Sequence, residues 1–231
     1  MSRLTLVRHG QAGVGLLAGP AEDRPGGLSH LGEAQAARVA CWWLKHGAQF
    51  DEVHSGTLAR QVRMEEIVAE TFRKAGKPWP DARRDTAWNE YDASGVLGCD
   101  DPRLAELRAD ADTPRGFHKL LQTAMEMWLS GGGPWPARYE TWPEFRDRVA
   151  GVLSRVMAGP PNRHVAVFTS GGVIGFAVHR AMHSPERVFL DVNWRVRNAS
   201  LSEFLFDRER LTLDAFNRIG HLEEERLWSY R

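Results

Sequence analysis

Short β-rich runs alternate with longer helical segments along most of the chain, and this alternation constrains the fold more than any other feature. Residues 4–7, 50–55 and 164–169 have the apolar, β-branched character of buried strands, and segments with helical periodicity follow them. Because strand–helix–strand connections build parallel sheets with helices on both faces, we expect a three-layer α/β/α sandwich around a mostly parallel sheet. The length suits one domain of this kind, and we predict a single domain over residues 1–231.

A first helix is predicted after a Gly- and Pro-rich loop that runs over residues 12–27. Ser29 has the chemistry of an N-cap, and Glu33 lies in the first turn that would follow it. A second helix is predicted over residues 57–73. The three-to-four spacing of apolar residues predicts that the inner stripe of the first helix consists of Leu31, Ala34, Ala37, Cys41 and Leu44.

The rest of the chain has weaker signals. Residues 84–90 are predicted as a strand that leads into a loop, and another helix is expected around Phe145. Residues 100–140 mix charged helical pieces with a Gly- and Pro-rich end, which predicts a helical insertion rather than a second domain. Two β-rich runs, residues 199–206 and 211–216, flank a charged turn and predict a hairpin.

Four loops follow strand candidates, and they are expected to meet. Ligands of open parallel sheets bind outside the carboxyl ends of the strands. The loops at residues 8–11, 55–60, 88–92 and 170–172 therefore converge on one predicted crevice.

The first of these loops carries an adjacent arginine and histidine. The planar guanidinium of Arg8 offers donors that match phosphate oxygens, and a neutral His9 imidazole is a competent nucleophile near neutral pH. Gly10 lets the backbone approach a ligand closely. A surface Arg-His pair beside a turn is the alternative explanation of the same residues.

The motifs resemble those of a known family when they are taken in order. Residues 4–12, which contain Arg8-His9-Gly10, are similar to the opening signature of the histidine phosphatase superfamily, the phosphoglycerate-mutase-like fold. Further similar blocks follow in the order of that family, at residues 28–36, 55–61, 88–92, 169–174 and 200–206. The resemblance spans most of the chain apart from residues 100–137, and an ordered series is far more specific than any one block.

The resemblance implies a metal-independent histidine acid-type phosphatase, without a cofactor. In this family His9 would be the nucleophile that forms a phosphohistidine, Arg8 and Arg60 would bind phosphate, and Glu90 would be the general acid and base. The insertion would lie over the site, with Trp128 and Trp135 as lining residues.

The residue pattern by itself leaves non-catalytic explanations of these residues open. Without the resemblance, Glu90 is better explained as a solvated loop carboxylate, and Arg60 as an ordinary arginine on a helix surface. Arg63 is a second candidate for the phosphate-binding arginine.

One position departs from the family. Its second histidine, which helps to bind the transferred phosphoryl group, corresponds to Ser170 here, and serine carries no charge. Ser170 and the amides of Gly171 and Gly172 would then hold a phosphate oxygen at a helix N-terminus. Alternatively, the chain is a weakened enzyme that binds phosphorylated ligands.

A phosphoglycerate mutase is a further alternative, but the residues after Gly10 and around Glu90 differ from the usual mutase pattern. The formal net charge is zero, so composition indicates neither a nucleic acid nor a membrane surface as partner. We expect a small-molecule phosphomonoester, or phosphate, as the ligand. Two distant cysteines and an N-terminus unlike a signal peptide favour a cytoplasmic protein. The sequence leaves the physiological substrate and the oligomeric state open.

Overall fold

A six-stranded sheet forms the centre of the molecule. The computed structural model describes residues 1–13, 26–136 and 139–230, so most of the loop predicted over residues 12–27 lies outside the described residues. The sheet order is β3-β2-β4-β1-β5-β6. Pairing is parallel from β3 to β1 and antiparallel from β1 to β6. The strands are β1 (Ser2–Arg8), β2 (Glu52–Ser55), β3 (Arg83–Arg84), β4 (His164–Thr169), β5 (Leu201–Phe206) and β6 (Leu211–Arg218).

Helices occupy most of the connections between these strands. In the described residues they are α1 (His30–Lys45), α2 (Ala59–Lys74), α3 (Ala93–Leu97), α4 (Pro102–Arg108), α5 (Pro114–Ser130), α6 (Trp142–Met157), α7 (Gly171–Ala181) and α8 (Arg187–Asn193). None of the helices in the described part of the chain is long and apolar enough to cross a membrane.

The sheet is covered on both faces. On one face, Val7, Val53 and Phe168 pack with the buried side chains of α1 and α2. On the other face, Leu6 and Val167 pack with α5, α6, α7 and α8. Alternate residues along the strands thus pack into two separate cores. The predicted three-layer α/β/α fold is confirmed.

The predicted inner stripe of α1 is correct only in part, because Leu31, Ala37 and Leu44 are half-buried and pack against the core. Ser29 caps the helix as expected, because its Oγ accepts a hydrogen bond from the amide of Gly32 at 3.1 Å. Ala34 and Cys41, however, are exposed. The buried face is made of Gly32, Gln35, Ala36, Val39, Ala40 and Trp43. Gln35, a polar residue, lies on this face because its amide binds two distant parts of the backbone.

The strand predicted over residues 84–90 is also largely wrong. Only Arg83–Arg84 pairs with β2, and a 3₁₀ turn at Thr86–Trp88 follows at once. Asp85 caps this turn by accepting a hydrogen bond from the Ala87 amide at 2.8 Å, which directs the chain away from the sheet. The predicted hairpin is confirmed as β5 and β6.

Residues 100–140, the predicted insertion, contain the helices α4 and α5, and the short helix α3 precedes them. Trp128 of α5 does not line a cleft as expected, because it is buried and packs between Tyr91, Trp142 and Phe145. Trp135 is partly buried and packs against the same core. That the insertion covers the site stays a prediction.

Candidate active site

The carboxyl ends of three parallel strands bring the predicted loops together. β1 ends at Arg8 beside Thr169 of β4, and the His9 amide donates to the Thr169 carbonyl at 2.9 Å. On the other side of β4, the Gly56 amide donates to the Phe168 carbonyl at 3.1 Å. The loops after β1, β2 and β4 therefore start from one continuous hydrogen-bonded edge.

The ring of His9 is held in one tautomer. Its Nδ1 lies 2.7 Å from the carbonyl oxygen of Gly10. Because a carbonyl can only accept, Nδ1 carries the hydrogen and Nε2 presents its lone pair. The Nε group of Arg60 donates to that Nε2 at 3.1 Å. The sequence could not identify this orienting bond, since its acceptor is a backbone atom.

Two arginines lie close to the His9 ring. Arg60 contacts it directly, and the guanidinium of Arg8 is fixed by donation to the Val196 carbonyl. Burial first, and then the charges of Arg60 and Arg8, lower the pKa of His9 well below its ordinary value. The imidazole is therefore neutral at neutral pH, as a nucleophile must be.

Two buried amide side chains brace the loop that carries His9. Asn198 donates from Nδ2 to the His9 carbonyl at 3.2 Å, and the Ala199 amide donates to the same oxygen. Gln35 accepts from the Gln11 amide through Oε1 at 2.8 Å and donates to the Leu227 carbonyl. Neither residue could be predicted from the sequence, because neither carries a charge and both act over long sequence separations.

The loop also touches the start of α1. A Cβ on Gly10 would lie 2.4 Å from the Gly32 carbonyl oxygen, and a Cβ on Gly32 would lie 2.1 Å from the Gln11 carbonyl oxygen. The two glycines of the first two sequence blocks thus permit one close backbone approach.

Glu90 points at the first turn of α7. Both of its carboxyl oxygens lie 3.1 Å from the Gly172 amide nitrogen, and the Tyr91 amide donates to Oε1 at 3.2 Å. Burial raises the pKa of the Glu90 carboxyl, and the Gly172 hydrogen bond and the charges of Arg60 and Arg8 offset this in part. In this structure the Gly172 amide, which was expected to hold phosphate, therefore binds Glu90.

A buried amide connects α2, the loop before Glu90 and the start of α7. Gln61 donates from Nε2 to the Trp88 carbonyl at 3.1 Å and to the Ser170 hydroxyl at 2.8 Å. The Thr169 hydroxyl donates to the same Trp88 carbonyl at 2.7 Å. Ser170 has no solvent-exposed surface. Its hydroxyl is an acceptor for Gln61, so its own hydrogen is still available to an acceptor.

Arg63 is not part of this arrangement. Its Nε pairs with Glu33 at 2.9 Å, and its Nη1 contacts Glu70 at 3.3 Å. The structure thus favours Arg60 over Arg63 as the arginine beside His9. It brings Arg8, His9, Arg60 and Glu90 together, with Gly171 next to Arg8: a Cβ on Gly171 would lie 3.8 Å from the Arg8 Cζ.

Solved structures with the same fold include enzymes that act on small phosphate esters. A phosphoserine phosphatase variant from Entamoeba histolytica, in complex with phosphoserine, matches with a TM-score of 0.65 and 18% identity, over 96% of this chain and 100% of its own. A phosphoglycerate mutase from Bacillus anthracis matches with a TM-score of 0.67 and 14% identity, over 96% and 95%. A mycobacterial glucosyl-3-phosphoglycerate phosphatase matches with a TM-score of 0.61 and 22% identity, over 93% and 98%.

At these identities the structural matches show the fold. A search of curated proteins found no match. The family model described as histidine phosphatase superfamily (branch 1) matches residues 4–219, nearly the whole chain. With its phosphoglycerate-mutase-like fold and nearly full-length match, the chain belongs to branch 1 of the histidine phosphatase superfamily.

Proposed function

We propose that the protein is a phosphomonoester hydrolase that works through a phosphohistidine on His9. The observation that carries this proposal is the state of the His9 ring. The Gly10 carbonyl holds the hydrogen on Nδ1, and the unprotonated Nε2 faces Arg60. A neutral imidazole beside two guanidinium groups is arranged to attack an anionic phosphorus centre.

In the first step, Nε2 of His9 forms a bond to phosphorus while the bond between phosphorus and the ester oxygen breaks. Arg60 exchanges its contact with Nε2 for a phosphate oxygen, and Arg8 stabilises the charge on the equatorial oxygens. Glu90, whose pKa is raised by burial, gives its proton to the leaving oxygen.

In the second step, water attacks the phosphorus and the bond to Nε2 breaks. Glu90 now takes a proton from the attacking water, which restores its protonated form. The phosphate leaves, and Nε2 again accepts from Arg60. Each proton that Glu90 gives is therefore recovered within one turnover.

The start of α7 supplies further phosphate contacts in this proposal. The Gly171 backbone lies beside Arg8 in the first turn, where amides have no partner within the helix. Ser170 would add one hydrogen bond through the hydroxyl hydrogen that Gln61 leaves available. Since Ser170 is fully buried and its hydroxyl already accepts from Gln61, we rank this contact below those of Arg8 and Arg60.

The proposed substrates are small phosphate monoesters, as in the phosphoserine and 3-phosphoglycerate complexes of the Entamoeba histolytica enzyme. No metal is required in this mechanism, because Arg8 and Arg60 supply the positive charge. Turnover of an aryl phosphate between about pH 5 and pH 8 tests this, with and without a chelator. We expect hydrolysis that persists in chelator; activity that chelator abolishes and a divalent ion restores would contradict it.

A phospho-ligand binding protein is the second candidate, favoured by the uncharged and buried Ser170. The variant Ser170→His separates the two candidates. If the wild-type protein shows no hydrolysis and Ser170→His gains activity, the natural chain is a weakened enzyme. If both remain inactive and still bind phosphate, the chain is a phospho-ligand binding protein. If the wild-type protein hydrolyses aryl phosphates, the serine is compatible with catalysis.

A further inference from the structure

Arg148 of α6 contacts the segment that immediately precedes Glu90. Its Nη1 lies 3.0 Å from the Ala87 carbonyl oxygen, 3.0 Å from that of Asn89 and 3.3 Å from that of Thr86. One nitrogen thus contacts three backbone carbonyl oxygens in and next to the 3₁₀ turn. One of these acceptors, the carbonyl of Asn89, belongs to the residue directly before Glu90.

The other edge of the same guanidinium is fixed by a carboxylate. Nε of Arg148 donates to one oxygen of Glu140 at 2.6 Å, and Nη2 donates to the other at 2.8 Å. Both side chains are only about a fifth exposed, at 22% and 23%. Such a two-point pair leaves the guanidinium plane little freedom to rotate.

The segment needs an anchor of this kind because it is outside the sheet. β3 ends at Arg84, so residues 86–89 lie beyond the last paired residue of the strand. The loop of His9, in contrast, starts directly at the paired end of β1. Their carbonyls must find donors elsewhere, since unsatisfied backbone groups at a packed surface are costly. Arg148 donates to three of these carbonyls, whereas Gln61 and Thr169 donate to that of Trp88. Arg148 belongs to a helix that is itself packed on the core through Phe145 and Val149.

The insertion is joined to the same anchor. The indole nitrogen of Trp128 in α5 donates to the backbone carbonyl of Glu140 at 2.9 Å. The Trp128 ring also packs on Tyr91, with centroids 5.4 Å apart. Contacts therefore reach both sides of Glu90 from α5 and α6.

We propose that Arg148, held by Glu140, is a positioning residue that keeps the Glu90 carboxyl on the Gly172 amide and over the leaving oxygen. This inference rests on the proposed role of Glu90 as general acid. Arg148 itself touches neither substrate nor phosphate. Its effect should appear in those reactions that depend on protonation of the leaving group.

The test compares Arg148→Lys with the wild-type protein on two substrates. An aryl phosphate has a leaving group that departs with little protonation, whereas an alkyl phosphate needs the general acid. Lysine keeps the charge but cannot hold a carboxylate at two points and three carbonyls at once. In this two-step reaction kcat/KM reports only the first step, in which the leaving group departs. We expect kcat/KM to fall about 100-fold for the alkyl phosphate and less than about tenfold for the aryl phosphate.

Arg146→Ala is the matched control. Arg146 lies on the same helix, is 40% exposed and pairs with Asp147 and Glu186 instead. The ratio of the two kcat/KM values should be unchanged in this variant. Equal losses of kcat/KM on both substrates in Arg148→Lys, or no loss on either, would overturn the inference.

A titration keeps the inference testable without catalysis. In the wild-type protein, the carboxyl carbon of Glu90, assigned with Glu90→Gln, should titrate above the ordinary glutamate pKa. In Arg148→Lys the pKa of Glu90 should move toward the ordinary value, because a loosened loop admits water.

If the wild-type protein forms no phosphohistidine, the proposed function fails, while this pKa shift still decides whether Arg148 holds Glu90. An unchanged titration would contradict the inference. If Arg148→Lys does not fold, Glu140→Gln should give the same changes with smaller size.

Discussion

The two halves of the candidate site are held in different ways. His9 follows β1 directly, and backbone hydrogen bonds connect its loop to Thr169 and Ala199. Glu90 lies beyond the end of the short strand β3, and its segment is held mainly by side chains from other elements, Arg148, Gln61 and Thr169. The proposed nucleophile is thus positioned mainly by the sheet, and the segment of the proposed acid mainly by long-range side-chain contacts.

This difference has a consequence for mutational sensitivity. The His9 loop has several redundant backbone bonds, so the loss of one bracing side chain leaves the others in place. The Glu90 segment depends largely on side chains from other elements, and a displacement of about 1 Å in a catalytic group can cost roughly 100-fold in rate. Single substitutions around Glu90 should therefore reduce activity more than those around His9, apart from His9 itself.

The largest effect is expected for His9→Ala. Removal of the only attacking atom in the mechanism should lower kcat by about 10⁴-fold or more, in line with other nucleophile deletions. Steady-state hydrolysis of an aryl phosphate measures this loss, with the free energy of unfolding as a check that the variant is folded. Substantial residual activity in a folded variant would exclude His9 as the nucleophile.

The next largest effect is expected for Glu90→Gln. Loss of a general acid typically costs about 100- to 10,000-fold. His9 must be neutral, so activity rises with pH through its lowered pKa, whereas Glu90 must be protonated, so activity falls through its raised pKa. The pH profile of kcat/KM should thus be bell-shaped in the wild-type protein, and Glu90→Gln should lose the alkaline limb. A variant that retains this limb would assign it to another group.

Gly172→Ala tests the position of Glu90 rather than its chemistry. A Cβ on Gly172 would lie 2.2 Å from Oε1 of Glu90 and 2.8 Å from the Tyr91 ring, so the carboxyl has to move. We expect about a 100-fold loss of kcat on alkyl phosphates. Gly151→Ala on α6 is a suitable control, because its Cβ would meet only an Arg155 nitrogen at 3.9 Å. Full activity in Gly172→Ala would show that catalysis does not require the Glu90 carboxyl beside the Gly172 amide.

The smallest effect on rate is expected for Asn198→Ala, on the nucleophile side. The His9 carbonyl would keep its bond from Ala199, while a buried hydrogen bond would be lost. The free energy of unfolding should fall by about 1–3 kcal/mol. The loss of kcat should be smaller than in Gly172→Ala; a larger loss would reverse the proposed difference between the two halves.

Much of the fold could be predicted from sequence because its signals are local. The strand runs before His9 and Ser170, the Ser29 cap and the final hairpin depend on neighbouring residues, and each was predicted correctly. The error at residues 84–90 has a local cause, the cap that Asp85 forms with the Ala87 amide. The error in α1 has a long-range cause. The inner face of α1 contains Gln35, whose partners lie at Gln11 and Leu227, so apolar periodicity alone selects some wrong positions.

The site shows the same division. Motif order was enough to predict that Arg8, His9, Arg60 and Glu90 belong together, although their catalytic roles stay predictions. The residues that hold them, among them Asn198, Gln61 and Arg148, carry no local signal. Each acts on backbone or side-chain atoms far away in the sequence, and only folding brings those atoms within hydrogen-bond distance.

Trapping of the phosphoenzyme tests the central claim most directly. The wild-type protein would be mixed with a phosphate-labelled aryl phosphate, quenched in denaturant at alkaline pH, and digested for mass spectrometry, beside His9→Ala. We predict label on the peptide that contains His9, stable to base and lost in acid, and none in His9→Ala. Turnover without any label on His9, or label on another residue, would contradict the proposed phosphohistidine mechanism.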